Sequence, residues 1–462
     1  MANKIEALKA AKDGLAVKAE VARFAEIGWE AIDDDDLQHR LKWLGVFFRK
    51  STPGRFMVRM RVPSGTLSSD QMRVLASVVE KCGEQHGVAD ITTRQNIQIR
   101  SFPIEDVPEM FEKFRSVGLT SVQSAMDNIR NITGSPVAGI DANELYDTRD
   151  LAAQVQNLLT SNGEGNSDFT NLPRKFNIAI AGCRDNSTHA EINDLAFIPA
   201  FKENSPEIFG FNVVVGGFFS AKRVEAAISL NVWVAPEDVV ALCEALLIVY
   251  RDNGLRENRA KSRLMFLIDE WGIEKFRAEV EKQMGKPLAI AALKDEIEWE
   301  KRDHIGVHKQ KQAGLNYVGL QIPVGRMYAP DMYEFARLAD KYGNGDMRLT
   351  VEQNLLITNV SDEQVPMLLQ EPLLQKFPAE PDNLMRGLVS CTGNQFCPVA
   401  IVETKARSLA LTKQLAEDYH LPKVVRIHWS GCPNSCAQPQ VADIGFTGCK
   451  TRKDGKVVDG VD

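Results

Sequence analysis

The chain repeats itself. The segment TTRQNIQI (92–99) matches TVEQNLLI (350–357) at a threonine, a glutamine and an asparagine. A second pair, GCRDNSTHAEINDLAF (182–197) and GCPNSCAQPQVADIGF (431–446), agrees without gaps at an initial Gly-Cys and at a final Asp, apolar residue, small residue and Phe. Two matches in the same order indicate a duplicated fold. Duplicated halves usually pack about a pseudo-twofold axis, and we expect a site where they meet.

The segments around the first repeat predict alternating strands and helices, and therefore an α+β fold. Along the strand predicted for 89–102, side chains alternate between faces, so one face carries a polar stripe that something polar must cover. The stripe consists of Thr92, Arg94, Asn96, Gln98 and Arg100. The other predicted elements are strands at 55–63, 316–325 and 347–360 and helices at 68–83, 108–117 and 329–343.

Composition excludes several classes of protein. A chain of 462 residues is long enough for roughly two to four domains. Its net charge of -7 argues against a general nucleic-acid binder, and its apolar runs are too short to span a membrane. Acidic residues near the N-terminus argue against a secretory or transit peptide, so we expect a cytoplasmic protein. The basic segments at 256–263 and 450–456 are predicted to be solvated faces, with docking sites as the alternative.

Four of the eight cysteines are clustered. Cys391 and Cys397 are separated by five residues and Cys432 and Cys436 by three, with 34 residues between the pairs. Zinc ribbons usually place two residues within each pair, so the wider spacing favours a [4Fe-4S] cluster. A structural zinc ion and four unrelated buried thiols are the alternatives. The scattered cysteines are predicted to be inert buried thiols, and they are Cys82, Cys183 and Cys243.

In their setting, CTGNQFCP and GCPNSC, these four cysteines resemble the cluster signature of the sirohaem-dependent nitrite and sulfite reductases. The resemblance covers nearly the whole chain. It implies an internally duplicated α+β architecture with two pseudo-twofold ferredoxin-like half-domains and two larger α/β lobes. Because the sequence ends within an apparent hairpin, we expect the last lobe to be truncated. The expected parts are an N-terminal helical segment (1–45), the first half-domain (46–122), a sirohaem and substrate lobe (123–285), the second half-domain (306–376) and a cluster lobe (384–462).

The resemblance also implies two cofactors, a [4Fe-4S] cluster and a sirohaem. The cluster ligands would be Cys391, Cys397, Cys432 and Cys436, and Cys436 would bridge the cluster and the sirohaem iron. Sirohaem carries eight carboxylates, so its pocket needs many cationic and hydrogen-bonding groups. The expected contacts are Arg61, Thr92, Arg94, Asn96, Gln98, Arg174, Gly216, Gly217 and Cys436.

Four positions resemble the set that holds the substrate anion in this family. They are Arg59, Arg130, Lys175 and Asn177, and Arg61 is the alternative to Arg59. Lys-x-Asn at 175–177 is similar to the nitrite-reducing branch, whereas the sulfite-reducing branch tends to have Lys-x-Lys. A site with one fewer cation suits nitrite, which is a monoanion, better than sulfite, which carries a greater charge. The expected reaction is therefore the six-electron reduction of nitrite to ammonium.

The electron donor is expected to be a separate protein. No G-x-G-x-x-G stretch follows a predicted strand, and nothing resembles a flavin module. The resemblance to the cyanobacterial and plastid branch implies ferredoxin, an acidic donor for which the basic segment 450–456 is the better candidate patch. We expect a monomer. The competing functions are a ferredoxin-dependent sulfite reductase and a non-catalytic protein that binds zinc or an iron-sulfur cluster.

Overall fold

The computed structural model describes residues 3–84, 86–202, 205–220, 223–298 and 302–462. Within these ranges the larger sheets have four or five strands each, and helices cover them. A search of the same ranges for a helix with the length and apolarity to cross a membrane found none.

The first half of the molecule begins with short helices that pack against a sheet. Its principal helix starts with a capping box, in which the Ser68 hydroxyl accepts from the Gln71 backbone N-H and the Gln71 side chain accepts from the Ser68 N-H. The apolar face of this helix, including Met72 and Leu75, is fully buried against the sheet. The helices are α1 (Lys4–Ala11), α2 (Val21–Ile27), α3 (Asp34–Gln38), α4 (Ser69–Lys81) and α5 (Val107–Ser116), and the strands are β1 (Val46–Phe47), β2 (Phe56–Arg59), β3 (Thr66–Ser68), β4 (Val88–Ile91) and β5 (Ile97–Phe102).

The lobe that follows contains a mixed sheet with helices packed on it. Strands β6, β7 and β8 are parallel, and β9 and β12 continue the sheet in antiparallel fashion. Its helices are α6 (Arg149–Thr160), α7 (Val239–Asn253), α8 (Leu264–Trp271) and α9 (Ile273–Met284), and its strands are β6 (Thr133–Gly134), β7 (Ile178–Ile180), β8 (Leu195–Lys202), β9 (Ser205–Val215), β10 (Phe218–Ser220), β11 (Arg223–Glu225) and β12 (Ile228–Val234).

The second half repeats this plan. Its lobe again has three parallel strands followed by an antiparallel one. The helices are α10 (Ala329–Tyr342), α11 (Val365–Leu368), α12 (Leu373–Lys376), α13 (Asn383–Arg386) and α14 (Lys405–Asp418), and the strands are β13 (Gly306–Lys309), β14 (Leu315–Leu320), β15 (Arg326–Met327), β16 (Asp346–Leu349), β17 (Leu355–Ser361), β18 (Leu388–Ser390), β19 (Ile427–Ser430), β20 (Ile444–Lys453) and β21 (Lys456–Val461).

The two half-domains exchange edge strands. Strand β15 of the second half pairs with β4 of the first, and β3 of the first half pairs with β16 of the second. The apolar residues of both halves form one continuous core. The halves are therefore interlocked and not merely docked, and the predicted duplication is confirmed in the topology.

Two secondary-structure predictions are wrong, for the same reason. The stretch 89–102 is not a single strand, because β4 and β5 form a hairpin whose turn spans 92–96. The Gln95 backbone is left-handed at φ 52°, and the Thr92 N-H donates to the Asn96 carbonyl at 2.9 Å. The Thr92 hydroxyl also accepts from the Arg94 N-H at 3.1 Å, and such local side-chain bonds compete with a strand ladder. The equivalent turn at 350–354 splits the strand predicted for 347–360 in the same way.

The second repeat also has a structural counterpart. Asp194 accepts from the Asn177 backbone N-H at 2.8 Å, and Asp443 accepts from the Arg426 backbone N-H at the same distance. The residues His189 and Gln438 are both left-handed, and each precedes a short 3-10 turn. The equivalence of 182–197 with 431–446 therefore extends to the backbone hydrogen bonds.

Candidate active site

A cavity lies where the first half-domain meets both lobes. Its volume is about 1480 Å³, including the part that is open to solvent. The turn between β4 and β5 forms one wall, the segment before β7 forms a second, and the loops after β18 and β19 form a third. The pseudo-twofold arrangement thus brings together residues that are far apart in the sequence.

All four clustered cysteines line this cavity: Cys391, Cys397, Cys432 and Cys436. They do not converge as the ligands of a single ion would, because the described residues contain no group of three or more His, Cys, Asp or Glu side chains in that arrangement. The thiolates of a [4Fe-4S] cluster bind four separate irons and so need a wider spacing than one zinc ion allows. Four thiols lining one cavity are the donor set that a [4Fe-4S] cluster requires.

Backbone N-H groups surround the first of these thiols. The Cys391 sulfur accepts from the Gly431 N-H at 3.1 Å and from the Gly393 N-H at 3.4 Å. Such donors stabilise a thiolate and help set the potential of an iron-sulfur centre. Thr93 donates to the Cys436 carbonyl at 2.9 Å, so the first half-domain also fixes the last cysteine loop.

Cys436 is exposed to the cavity but is surrounded by protein. Burial, and secondarily the neighbouring Cys391, raise the pKa of the Cys436 thiol to about 12. A coordinating metal deprotonates such a thiol outright. Without a metal the Cys436 thiol is therefore protonated at neutral pH, and a bound metal would convert it to the thiolate.

The predicted anion-binding residues all reach the same cavity: Arg59, Arg130, Lys175 and Asn177. The Arg59 guanidinium lies over the Phe47 ring at 4.9 Å, and Arg130 donates to the Met126 carbonyl at 3.1 Å. Burial lowers the pKa of Arg59 to about 10 and lowers that of Arg130 as well. Burial and the adjacent Arg263 and Arg130 lower the pKa of Lys175 to about 7.

The polar stripe predicted on a strand reaches the cavity through the turn. Thr92, Arg94, Asn96 and Gln98 all line it, whereas the side chain of Arg100 points to the Asp90 carboxylate at 2.9 Å. Arg94 donates to the Asn193 side chain at 2.6 Å and to the Asn131 carbonyl at 2.9 Å. Four of the five residues of the predicted stripe therefore line the cavity, but a hairpin places them there and not the face of a single strand.

Several predicted cofactor contacts lie outside the cavity wall. Arg61 is fully buried and donates to backbone carbonyls, among them those of Val122 at 2.9 Å and Gln123 at 2.7 Å. Arg174 lies 3.9 Å from the Asp127 carboxylate. At Gly216 a Cβ would contact Met265, and at Gly217 it would lie 2.5 Å from the Asn193 carbonyl. The structure thus gives Arg61 and the glycine pair packing contacts within the protein.

Some cavity residues were not predicted. Arg49, Arg263 and Lys405 add three cations to the wall, and Phe219 and Asn131 are among its other residues. Lys405 is buried 3.6 Å from Asp90, and burial lowers its pKa to about 8. A basic segment was visible in the sequence around Arg263, but nothing in it indicated that the side chain turns inward.

Three arginines that line the cavity each have one buried side-chain nitrogen without a partner in the described part of the chain. Among the described residues, the buried Nε atoms of Arg49, Arg94 and Arg130 have no hydrogen-bond partner within the protein. Orphaned buried donors are costly unless a ligand or water completes them. Three such guanidiniums beside four thiols suit a polycarboxylate macrocycle adjoining an iron-sulfur cluster.

Known proteins share this sequence and fold. The chain matches the model of the nitrite and sulphite reductase 4Fe-4S domain over 125–288 and 382–459, and that of the nitrite/sulfite reductase ferredoxin-like half domain over 48–117 and 308–374. Two proteins named ferredoxin--nitrite reductase, from Leptolyngbya laminosa and Synechococcus elongatus, are 63% and 60% identical to it over 461 residues, covering 100% of this chain and 89% of each relative. The structure of the Mycobacterium tuberculosis NirA protein has a TM-score of 0.89 at 32% identity, covering 99% of this chain and 86% of that one. These matches confirm the predicted fold class, and the chain belongs to the nitrite and sulfite reductase family.

Proposed function

We propose that this chain reduces nitrite to ammonium, in six one-electron steps, with reduced ferredoxin as the donor. The observation that carries the proposal is a single cavity lined by four cluster-type cysteines and by the cationic residues Arg59, Arg130 and Lys175. The relatives at 63% and 60% identity, named for this activity, support the same substrate and donor.

The residues of the cavity would hold two cofactors. Cys391, Cys397, Cys432 and Cys436 would ligate a [4Fe-4S] cluster, and Cys436 would also face the sirohaem iron. Thr92, Arg94, Asn96 and Gln98, together with Arg49 and Lys405, would bind the sirohaem carboxylates. When bound, these groups supply single-electron transfer and an iron that binds the substrate.

The protein's own contribution is to hold an anion and deliver protons. Arg59 has its pKa lowered only to about 10, so it keeps its charge and attracts nitrite throughout the neutral range, and the Arg130 guanidinium lines the same cavity beside it. Lys175, with its pKa near 7, is able to give up a proton at neutral pH and recover it from solvent. The reduction consumes eight protons, so a donor at this position is needed repeatedly.

Asn177 is the basis for preferring nitrite over sulfite. It lies two residues from Lys175 in the same segment, and both reach the cavity. A neutral amide here leaves one fewer cation for a sulfite dianion. The alternative function, sulfite reduction on the same fold, remains the one to test directly.

Ferredoxin would dock near the cluster lobe. The segment 450–456 forms the end of the β20–β21 hairpin, and Lys450, Arg452, Lys453 and Lys456 are all exposed there. Electrostatic complementarity with an acidic donor would raise the rate of encounter. We also propose a cytoplasmic monomer, and the eight free cysteines are typical of a reducing compartment.

The deciding experiment is a spectrum and an assay of the purified protein. We expect haem-type absorption bands, about five irons and about four labile sulfides per chain. With reduced ferredoxin, nitrite should be turned over faster than sulfite. Faster turnover of sulfite would favour the alternative reductase, and zinc without iron would rule out both enzymes.

A further inference from the structure

Two arginines of the basic segment 256–263 turn inward, although the segment also has exposed residues. The expectation of a solvated face is wrong for two of its arginines, because each forms a two-pronged ion pair with a buried carboxylate. Arg263 donates to both oxygens of Asp194, at 2.8 and 2.6 Å. Arg259 donates to both oxygens of Asp127, at 2.8 and 2.7 Å. The carboxylate side chains are only 1% and 0% exposed, so both charges need a partner.

Asp194 holds the segment that carries Lys175 and Asn177. It accepts from the Asn177 N-H at 2.8 Å, and the adjacent Leu195 N-H donates to the Asn177 carbonyl at 3.1 Å. Arg263 itself lines the cavity, 9% exposed, with its guanidinium 5.1 Å above the Phe218 ring. The ion pair therefore lies directly behind the residue proposed to select the substrate.

Asp127 holds the loop that carries Arg130. Its carbonyl accepts from the Leu172 N-H at 3.2 Å. Two more backbone hydrogen bonds join this loop to the segment before β7. The Phe176 N-H donates to the Asn128 carbonyl at 3.1 Å, and the Arg130 N-H donates to the Phe176 carbonyl at 2.8 Å. The Arg259–Asp127 pair thus anchors the loop before Arg130 against the segment that leads to Lys175.

The duplication supplies an internal comparison. Asp443, the counterpart of Asp194, makes the same backbone hydrogen bond to Arg426 at 2.8 Å. Its side chain is exposed and has no ion-pair partner in the part of the chain that the structure describes. The fold therefore needs the aspartate in both lobes, whereas the arginine is present only where the carboxylate is buried beside the cavity.

We propose that Arg259 and Arg263 are positioning residues for nitrite binding. They hold Asp127 and Asp194 in place, and with them Arg130, Lys175 and Asn177. Arg263 also neutralises Asp194, and Arg259 shares the neutralisation of Asp127 with Lys9 and Arg174, so that neither carboxylate repels an anion entering the cavity. This inference rests on the proposed nitrite reduction.

The test compares Arg263→Gln with a matched control. Arg386 forms an equally two-pronged pair with Asp303, at 2.9 and 2.8 Å, and it does not line the cavity. Arg263→Gln should raise the KM for nitrite about tenfold with a smaller change in kcat, while Arg386→Gln should leave the KM unchanged. The Kd for nitrite, measured from the change in visible absorption when nitrite is added to the oxidised holoenzyme, should rise in parallel.

A double variant separates charge from structural damage. Asp194→Asn combined with Arg263→Gln removes both charges, so the KM should return most of the way to that of the wild type. If Arg263→Gln does not fold, the same comparison is made at the more exposed pair, with Arg259→Gln and with Asp127→Asn plus Arg259→Gln.

Two results overturn the inference alone: a KM for Arg263→Gln no higher than that of Arg386→Gln, or a double variant with no recovery. A wild-type holoenzyme that fails to reduce nitrite overturns the proposed function and this inference together.

Discussion

Gln95 and Gln353 occupy equivalent turns, and each reaches across into the other half-domain. The Gln95 side-chain amide donates to the Leu349 carbonyl at 3.2 Å, and the Gln353 amide donates to the Ile91 carbonyl at 3.0 Å. Each side-chain oxygen also accepts from the first strand of the lobe that follows, at Gly134 and Ser390, both at 2.9 Å. A single repeated glutamine therefore joins each half-domain to its partner and to its lobe.

Replacing either glutamine with leucine should destabilise the protein by a similar amount. Gln95→Leu leaves the buried N-H of Gly134 and the carbonyl of Leu349 without their partner. Unpaired buried polar groups cost about 1–3 kcal/mol each, so for two such groups we expect a loss of about 2–6 kcal/mol in the free energy of unfolding. Denaturant titration measures this, with the exposed Gln375→Leu as the control. Losses no larger than that of the control would contradict the role.

Cys436→Ser should lose the iron centres. Serine supplies a harder oxygen in place of the thiolate, and Cys436 is the ligand proposed to face both cofactors. Iron content and visible absorption should fall together. Cys82→Ser is the control, because its thiol is buried away from the cavity and donates to the Val78 carbonyl at 3.2 Å, a bond that a hydroxyl also makes. A normal spectrum for Cys436→Ser would refute the assignment.

Asn177→Lys should move the preference from nitrite toward sulfite. A second lysine beside Lys175 adds a cation to the cavity wall, which favours the anion with the greater charge. The measurement is the ratio of kcat/KM for sulfite to that for nitrite, and we expect it to rise about tenfold. Asn177→Gln, which adds bulk without charge, is the control. An unchanged ratio for Asn177→Lys would remove this position from the specificity argument.

The KM for nitrite should depend on pH through Lys175. Its pKa of about 7 in the protein means that the cation is present below this value and is lost as the pH rises through it, so anion binding weakens on the alkaline side. The carboxylates of a bound sirohaem would raise the pKa of Lys175 and so shift this loss above pH 7. Lys175→Arg keeps its charge and should flatten the profile measured between about pH 6 and pH 9. A profile that is the same in both proteins would assign the dependence to another group.

Local sequence patterns predicted the elements better than their boundaries. The capping residues at Ser68 and Gln71 and the apolar spacing after them predicted α4 well, because helix signals are local. The turn at 92–96 was missed, because its side-chain hydrogen bonds form only in the folded backbone and its alternating polar residues are also typical of a strand.

By itself the sequence determined the duplication and the clustering of four cysteines, because repeated segments and cysteine spacings can be read directly from the order of residues along the chain. Only the tertiary structure decided which arginines face that cavity. Arg61 was predicted as a cofactor contact but is occupied by backbone carbonyls, whereas Arg263, in a segment predicted to be solvated, lines the wall. The direction of a long cationic side chain depends on which carboxylates and carbonyls the fold brings within hydrogen-bonding distance, and those partners lie far away in the chain.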